Sequence, residues 1–372
     1  MGAIAYRADI DGLRAVSILS VLLFHAQVRG FGGGFIGVDI FFVISGYLIT
    51  NILNVPGSGS VGQRLREFYL RRCRRILPAL LLLLAVTTAL AVLLLSAKEQ
   101  RSYGRYLGLT TVLLSNMAAW TDRSAGLTPL VHLWTIAVEE QFYLAYPLLL
   151  LGICRPGKVP PVPLLGVLTA TSFALCIWAS YTAPTANTYL APTRGWELLL
   201  GGLLALGIAS VRGKVACELL SALSLVTILL CVCCYSPRTR YPGAYSLLPC
   251  LAAGALLLCA RDHSTRVSRV LSLRPVVFIG LISYSLYLWH LPILVLFGYL
   301  YGSPLTAPRT AILLFASFLA AVASWRLVEQ PVRYKMWLRS DRHFIVAAAV
   351  ANVALGLTGL ALWLRLIPIA AH

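Results

Sequence analysis

The chain has 372 residues, of which 59% are hydrophobic and only 12% are charged, and its mean hydropathy is +0.82. Soluble globular domains contain about 25% charged residues, so this composition excludes a soluble globular domain. The formal net charge of +18 does not indicate nucleic-acid binding, because Lys and Arg are concentrated in alternate loops, as the orientation of a membrane protein requires.

Apolar runs of about 20 residues follow one another along the chain, which is typical of a polytopic membrane protein made of α-helices. We therefore predict an all-α integral membrane bundle, with about ten core helices, an eleventh C-terminal helix and a single transmembrane domain over 1–372. The core covers about 6–335 and the last helix about 344–366. The predicted spans are Ile10–Val28, Phe35–Leu53, Ile76–Ser96, Trp134–Cys154, Val162–Tyr181, Trp196–Val211, Ala216–Tyr235, Ala244–Ala260, Val276–Tyr301, Thr310–Val328 and Phe344–Leu366.

One further segment, Tyr103–Trp120, is apolar enough to span but contains Arg105, Asn116 and several Ser and Thr. The loop Asn54–Arg75 contains six arginines, so the positive-inside rule places it and the N-terminus in the cytoplasm. If Tyr103–Trp120 does not cross, the later basic clusters, from Arg155 and Lys158 onward, also fall inside. We therefore predict a re-entrant or interfacial helix on the outer side, eleven crossings and a periplasmic or extracellular C-terminus.

Ionisable residues within the predicted spans lie at two depths. Such groups are costly in hydrocarbon and usually face a protein interior or a water-filled cavity. A desolvated His beside a carboxylate is suited to act as a general base near neutral pH. One alternative is a purely structural network in which Glu139 and Glu140 pair with Arg194 and the neighbours of Glu197. Another is that Trp289 and His290 belong to an aromatic belt. The outer group consists of His25, Asp39, His132, Glu139, Glu140, Arg194, Glu197 and His290.

The inner group consists of Arg14 and the arginine-rich stretch Arg71–Pro78. Guanidinium groups are suited to bidentate capture of phosphates. The alternative is a positive-inside anchor that contacts lipid phosphates. The nine cysteines lie mostly within apolar runs without zinc-type spacing, so no metal is predicted.

Together the two groups indicate a phosphate-bearing cytosolic ligand on the inner side and an acid/base centre on the outer side. A long, thin donor that binds by its phosphates and extends a reactive end outward would use both, and coenzyme A thioesters have that shape. A transporter or flippase for a polar lipid-linked molecule is the alternative from another class. Its buried Arg, His and Glu residues would couple transport to protons.

Seven sequence blocks in order, from Tyr6 to Arg333, resemble the membrane-bound acyltransferase family 3, bacterial enzymes that O-acylate surface polysaccharides. The blocks are YRADIDGLRAVSILSVLLFHA, GGFIGVDIFFVISGYLIT, RRCRRILPAL, HLWTIAVEEQFYLAYPLLL, RGWELLLGGLLA, ISYSLYLWHLPIL and VEQPVR. The resemblance implies that Arg14 and His25 mark the active site, with His25 as the base that deprotonates the acceptor hydroxyl. It also implies that Arg72 and Arg75, with Arg71 adjacent, help to bind coenzyme A. A ten-helix core is typical of the family, and an eleventh helix occurs in members that continue into an external SGNH-type domain.

We therefore expect an O-acetyltransferase of the bacterial inner membrane that uses cytosolic acetyl-CoA and no metal. Its acceptor is expected to be a hydroxyl of a surface glycan, such as O-antigen, exopolysaccharide or peptidoglycan, or of a lipid-linked precursor. A small metabolite such as a macrolide is the alternative acceptor. Asp39 or Glu139 is expected to orient His25, and both direct transfer and an acetyl-histidine intermediate fit the sequence. The expected binding residues are Arg14, Arg71, Arg72, Arg75, Glu140, Arg194, Glu197 and His290.

Overall fold

The computed structural model describes residues 6–55, 59–122, 128–154, 159–302 and 306–366. These residues form helices joined by short turns, with no strand among them, and the predicted all-α class is confirmed. Arg155 and Lys158, which entered the orientation argument, lie outside the described residues.

The first eight helices are α1 (Ala8–His25), α2 (Gly37–Asn54), α3 (Val61–Leu94), α4 (Ala97–Thr111), α5 (Ser115–Thr121), α6 (Trp134–Leu148), α7 (Pro161–Thr182) and α8 (Pro184–Tyr189). The remaining helices are α9 (Ala191–Ala205), α10 (Lys214–Cys234), α11 (Leu247–Asp262), α12 (Arg266–Leu271), α13 (Arg274–Leu281), α14 (Ser283–Tyr301), α15 (Ala307–Ser324), α16 (Gln330–Arg333) and α17 (Asp341–Leu364). Short π-helices, Leu149–Ile153 and Trp325–Glu329, extend α6 and α15.

Nine helical segments among the described residues are long and apolar enough to cross a membrane, and they match nine of the predicted spans. The other two predicted spans correspond to α1 and α9. Helix α1 contains Asp9, Asp11 and Arg14, and α9 has only 15 residues with Arg194 and Glu197 among them. The multi-pass helical architecture is therefore confirmed.

The arginine-rich loop is mostly helical, which differs from the prediction. Helix α3 begins at Val61 rather than at Ile76 and runs for 34 residues, or about 51 Å. Between Gly62 and Pro78 the sequence contains no Gly or Pro and is rich in Arg and Leu, which are good helix formers. The arginines therefore occupy fixed positions around a helix.

The predicted span Val276–Tyr301 is divided in the structure. Helices α13 and α14 meet at Ile282, whose backbone leaves the helical region at φ −88° and ψ 0°. A Cβ built on Gly280 of α13 would lie 1.8 Å from the carbonyl oxygen of Asp11. Only glycine therefore permits this contact between α13 and α1.

The segment predicted not to cross is broken into α4 and α5, which meet where Leu113 adopts a positive φ of 61°. Helix α4 packs antiparallel against α17. A Cβ on Gly104 would lie 2.7 Å from the carbonyl oxygen of Gly359, and Asn352 Nδ2 donates to the carbonyl oxygen of Thr111 over 2.9 Å.

The relative direction of α2 and α6 supports the prediction that the 97–121 segment, which contains α4 and α5, makes no net crossing of the membrane. Ser45 and Thr50 of α2 contact Glu139 and Tyr146 of α6, in the same order along both helices. Because the two helices are parallel, the chain between them makes an odd number of crossings. Helix α3 supplies one, so the 97–121 segment adds none or an even number.

The chain forms two compact units, each discontinuous in sequence: Met1–Val61 with Glu139–Ser283, and Gly62–Val138 with Tyr284–His372. In the first unit α2 and α9 make backbone contact, since a Cβ on Gly46 would lie 1.8 Å from the carbonyl oxygen of Leu198. Reciprocally, a Cβ on Gly201 of α9 would lie 2.0 Å from the carbonyl oxygen of Val43. In the second unit α4 and α17 make the comparable glycine contact described above.

Candidate active site

Arg14 and His25 lie on one face of α1 in the first unit. Eleven residues at about 100° and 1.5 Å each give an angular offset of about 20° and an axial separation of about 16 Å. Arg14 Nη1 lies 3.2 Å from Asp11 Oδ1, one turn before it. His25 is the last residue of the helix, half-buried, with its ring centroid 5.2 Å from that of Phe24. This helix therefore places a cation near one end and an imidazole at the other.

The packing of α1 against α2 fixes the depth of the residues on α2. A Cβ on Gly37 would lie 2.3 Å from the carbonyl oxygen of Ser17, so these two residues are level in an antiparallel pair. From that register, Asp39 lies about 15 Å from His25 along the helix axes, and Ser45 lies about 24 Å from it. Glu139 contacts Ser45. The structure therefore separates both carboxylates from the ring that they were expected to orient.

Asp39, Arg194 and Glu197 are brought together in one buried ion cluster. Arg194 Nη2 lies 3.2 Å from Asp39 Oδ1, and Arg194 Nη1 lies 3.2 Å from Glu197 Oε1. The three side chains are at most 2% exposed, and the guanidinium lies 5.6 Å from the ring centroid of Phe42. The charges of this cluster are balanced mainly within the protein. Glu139, which the structural-network alternative paired with Arg194, instead contacts Ser45 and Tyr143.

The same cluster contains three groups of the kind that bind metal ions. Ligand atoms of Asp39, Glu197 and Cys250 lie within 4.8 Å of one another. However, the guanidinium of Arg194 already contacts both carboxylates, so a metal ion would be placed beside a positive charge.

Glu139 lies on α6 and is half-buried. Its Oε1 accepts hydrogen bonds from the hydroxyl of Ser45 on α2 and from the hydroxyl of Tyr143, one turn along α6. Glu140, the neighbouring predicted residue, is also half-buried. Ser45 and Tyr143 were missed from the sequence, although the i to i+4 spacing of Glu139 and Tyr143 could have indicated their pairing.

In the second unit, Arg71, Arg72 and Arg75 share an arc of about 100° on α3. Arg71 is exposed and lies 3.4 Å from Glu67, whereas Arg72 and Arg75 are half-buried. Arg74 differs, since it is 3% exposed and its Nη2 lies 2.8 Å from Asp341 Oδ1. It also donates to the carbonyl oxygens of Val332 and Leu338. One arginine of the cluster is therefore structural.

His290 lies on α14 in a second buried polar group. Its ring centroid is 5.4 Å from that of His132, and His132 Nε2 lies 3.1 Å from the carbonyl oxygen of Leu288. The hydroxyl of Tyr287 donates to the carbonyl oxygen of His132 over 2.9 Å. Ser285 on the same helix donates to Glu329 over 3.0 Å. Glu329 was missed, although it belongs to the VEQPVR block and ends a π-helix, a feature frequent at functional sites.

Comparison with known proteins gives a match to an acyltransferase domain family over residues 7–326. The peptidoglycan O-acetyltransferase OatA of Listeria monocytogenes is 30% identical over 88% of this chain and 56% of its own length. The putative peptidoglycan O-acetyltransferase YrhL of Bacillus subtilis is 31% identical over 88% of this chain and 55% of its own. The O-acetyltransferase OatA of Staphylococcus aureus is 31% identical over 89% of this chain and 58% of its own length. The chain spans somewhat more than half the length of these relatives, and no solved structure matches it.

Proposed function

This chain belongs to the acyltransferase family that matches residues 7–326, and from that membership we propose that it transfers an acetyl group from acetyl-CoA to a hydroxyl of a cell-surface glycan. The names of the relatives support peptidoglycan as the first acceptor to test. The single observation that supports the chemistry best is the placement of Arg14 and His25 on one face of α1, about 16 Å apart.

In the proposed reaction the imidazole of His25 takes the proton of the acceptor hydroxyl. The acceptor oxygen attacks the acetyl carbonyl carbon, the C–S bond breaks, and the coenzyme A thiolate leaves and takes up a proton. These steps describe direct transfer. In transfer through an acetyl-histidine, the imidazole nitrogen first attacks the acetyl carbon and coenzyme A leaves; the acceptor oxygen then attacks the same carbon, the C–N bond breaks, and the hydroxyl proton goes to the released imidazole. His25 at the end of its helix is half-buried, as a base that must meet a glycan requires.

The donor is proposed to bind by its phosphates to Arg71, Arg72 and Arg75, which share one side of α3. Arg14 is proposed to contact the donor closer to its reactive end. Glu140 and His290 stay predicted binding residues. For Asp39, Arg194 and Glu197 we propose a supporting role, because their charges are paired with one another in the protein interior.

The proposal places the protein in the bacterial plasma membrane with its N-terminal end in the cytoplasm. The arginines of α3 support that orientation, because basic residues concentrate on the cytoplasmic side. The last helix then ends on the outer side, where a glycan or its lipid-linked precursor is found.

Deleting the gene in its host and comparing the surface glycans by NMR tests the function. We expect an O-acetyl ester signal to disappear and to return with the wild-type gene but not with His25→Ala. Unchanged ester content in every surface glycan would overturn the proposal. Loss of a whole glycan, rather than of its ester, would instead favour a flippase.

A further inference from the structure

The carboxylate of Glu139 is held in a fixed orientation by two neighbours to which no role was assigned. Both described hydrogen bonds end on Oε1, one from Ser45 on α2 and one from Tyr143 on α6. The second oxygen, Oε2, is therefore turned away from these donors. Since Glu139 is half-buried, this carboxylate is not enclosed as Asp39 and Glu197 are.

The elements that present the two donors are rigidly packed. Tyr143 is 2% exposed. Ser45 precedes Gly46, where α2 meets α9 backbone to backbone. One and a half turns further along α2, Thr50 and Tyr146 share a hydrogen bond of 2.7 Å, which fixes α2 against α6. The position of the Glu139 carboxylate is therefore set by side chains that are themselves fixed.

A half-buried carboxylate on a spanning helix requires water or a polar ligand beside it, because hydrocarbon would penalise the charge. The depth excludes direct contact with the imidazole, since Ser45 lies about 24 Å from His25 along the helix axes. A carboxylate with one free oxygen is an acceptor for N–H donors. The chemistry therefore fits a binding group deep in the helical bundle rather than the base of the reaction.

We propose that Ser45, Glu139 and Tyr143 form a binding site for an extended amide-containing chain, with Glu139 Oε2 accepting from an amide N–H. This inference rests on the proposed function, in which the donor is a coenzyme A thioester. The part of that donor with amide N–H groups is the pantetheine arm. Glu139 is the binding residue, and Ser45 and Tyr143 are positioning residues.

The test measures binding of coenzyme A, pantetheine and 3′,5′-ADP to the purified full chain in detergent. We expect Glu139→Gln to weaken binding of coenzyme A and of pantetheine about tenfold, because a hydrogen bond to a charged acceptor is lost. Binding of 3′,5′-ADP, which lacks the arm, should not change. Equal binding of pantetheine by wild type and Glu139→Gln would overturn the proposal.

The positioning role has its own readout. Ser45→Ala and Tyr143→Phe should each raise KM for acetyl-CoA severalfold with little change in kcat, and Ser45→Thr should restore KM. Thr169→Val is the matched control, because Thr169 donates only to the carbonyl oxygen of Leu165 in its own helix. A fall in kcat at unchanged KM would contradict the binding role. Failure of the wild-type chain to bind coenzyme A at all would refute the proposed function instead.

Discussion

Arg194 on α9 lies 3.2 Å from Asp39 on α2, although the two residues are 155 positions apart in the sequence. Both side chains are at most 2% exposed. The pair therefore joins two helices across the interior of the first unit, and Glu197 completes the group one turn along α9.

Replacing Arg194 with Met should strongly destabilise the protein, because two buried carboxylates then lose their cation. Removing one partner of a buried ion pair costs about 3–5 kcal/mol. We expect a clear fall in the thermal unfolding midpoint in detergent. Arg66→Met, at an exposed position of α3, is the control. An Arg194→Met protein as stable as that control would show that the cluster contributes nothing to the fold.

His25→Ala should lower acetyl transfer by at least about a hundredfold, because general acid–base catalysis typically contributes about 10²–10⁴-fold. Expression, membrane insertion and coenzyme A binding should be retained. The measurement is transfer of labelled acetyl groups from acetyl-CoA to glycan. His263→Ala, a histidine just after α11, is the control and should keep full activity. Normal transfer by His25→Ala would remove the imidazole from the mechanism.

The arginines of α3 should separate into two classes. Arg72→Ala and Arg75→Ala should each weaken coenzyme A binding about tenfold, as expected for loss of a charge-assisted hydrogen bond to phosphate, with little change in stability. Calorimetric titration and thermal unfolding on the same samples distinguish the two effects.

Arg74→Ala should show the opposite pattern, a loss of about 3 kcal/mol in stability. Its guanidinium pairs with Asp341 and lies 4.5 Å from the ring centroid of Phe344. If Arg74→Ala weakened coenzyme A binding while leaving stability intact, the assignment of this arginine to the fold would be wrong.

Gly104→Ala should destabilise the α4–α17 packing, because the added Cβ would lie 2.6 Å from Leu362 Cβ and 2.7 Å from the carbonyl oxygen of Gly359. Overpacking of this kind costs about 1–3 kcal/mol. Gly166→Ala in α7 is the matched control, since nothing lies within 4 Å of its Cβ position and alanine is the better helix former. The two unfolding midpoints should therefore move in opposite directions, and a shift in the same direction would contradict the packing.

The start of α4 should weaken in acid. Glu99 accepts from the N–H and the hydroxyl of Ser96. Burial raises the pKa of Glu99, but these hydrogen bonds and one from Tyr299 together lower it by more. The pKa of Glu99 therefore lies below its ordinary value. Stability from a lowered pKa is present above the unfolded value and is lost as the pH falls through the folded one. Glu99→Gln should be less stable than wild type at pH 7, by up to about 1 kcal/mol, and the difference should shrink in acid.

Hydropathy alone predicts the spans of this protein because the bilayer fixes the length of a crossing helix at about 20 residues. Charge bias predicts that 97–121 adds no net crossing, and the parallel contacts of Ser45 with Glu139 support it. Hydropathy did not predict that α3 begins at Val61, because it does not register a polar helical segment.

The partners within the site were harder to predict than the residues. Asp39 and Glu139 stand out in the sequence as polar groups within apolar spans. Their partners depend on helix rotation and register, which hydropathy does not encode. The same reason explains Arg74, which differs from Arg72 by two residues and about 200° around α3. Sequence thus indicated which groups were unusual, whereas the packing of glycines determined what each group contacts.

The close approach of α2 and α9, at Gly46 against Leu198 and at Gly201 against Val43, also limits how these two helices can move. No side chain separates the two backbones, so neither helix can rotate or slide without a collision with the other. The ion cluster of Asp39, Arg194 and Glu197 also joins α2 to α9, so the two helices are held together as a single rigid element.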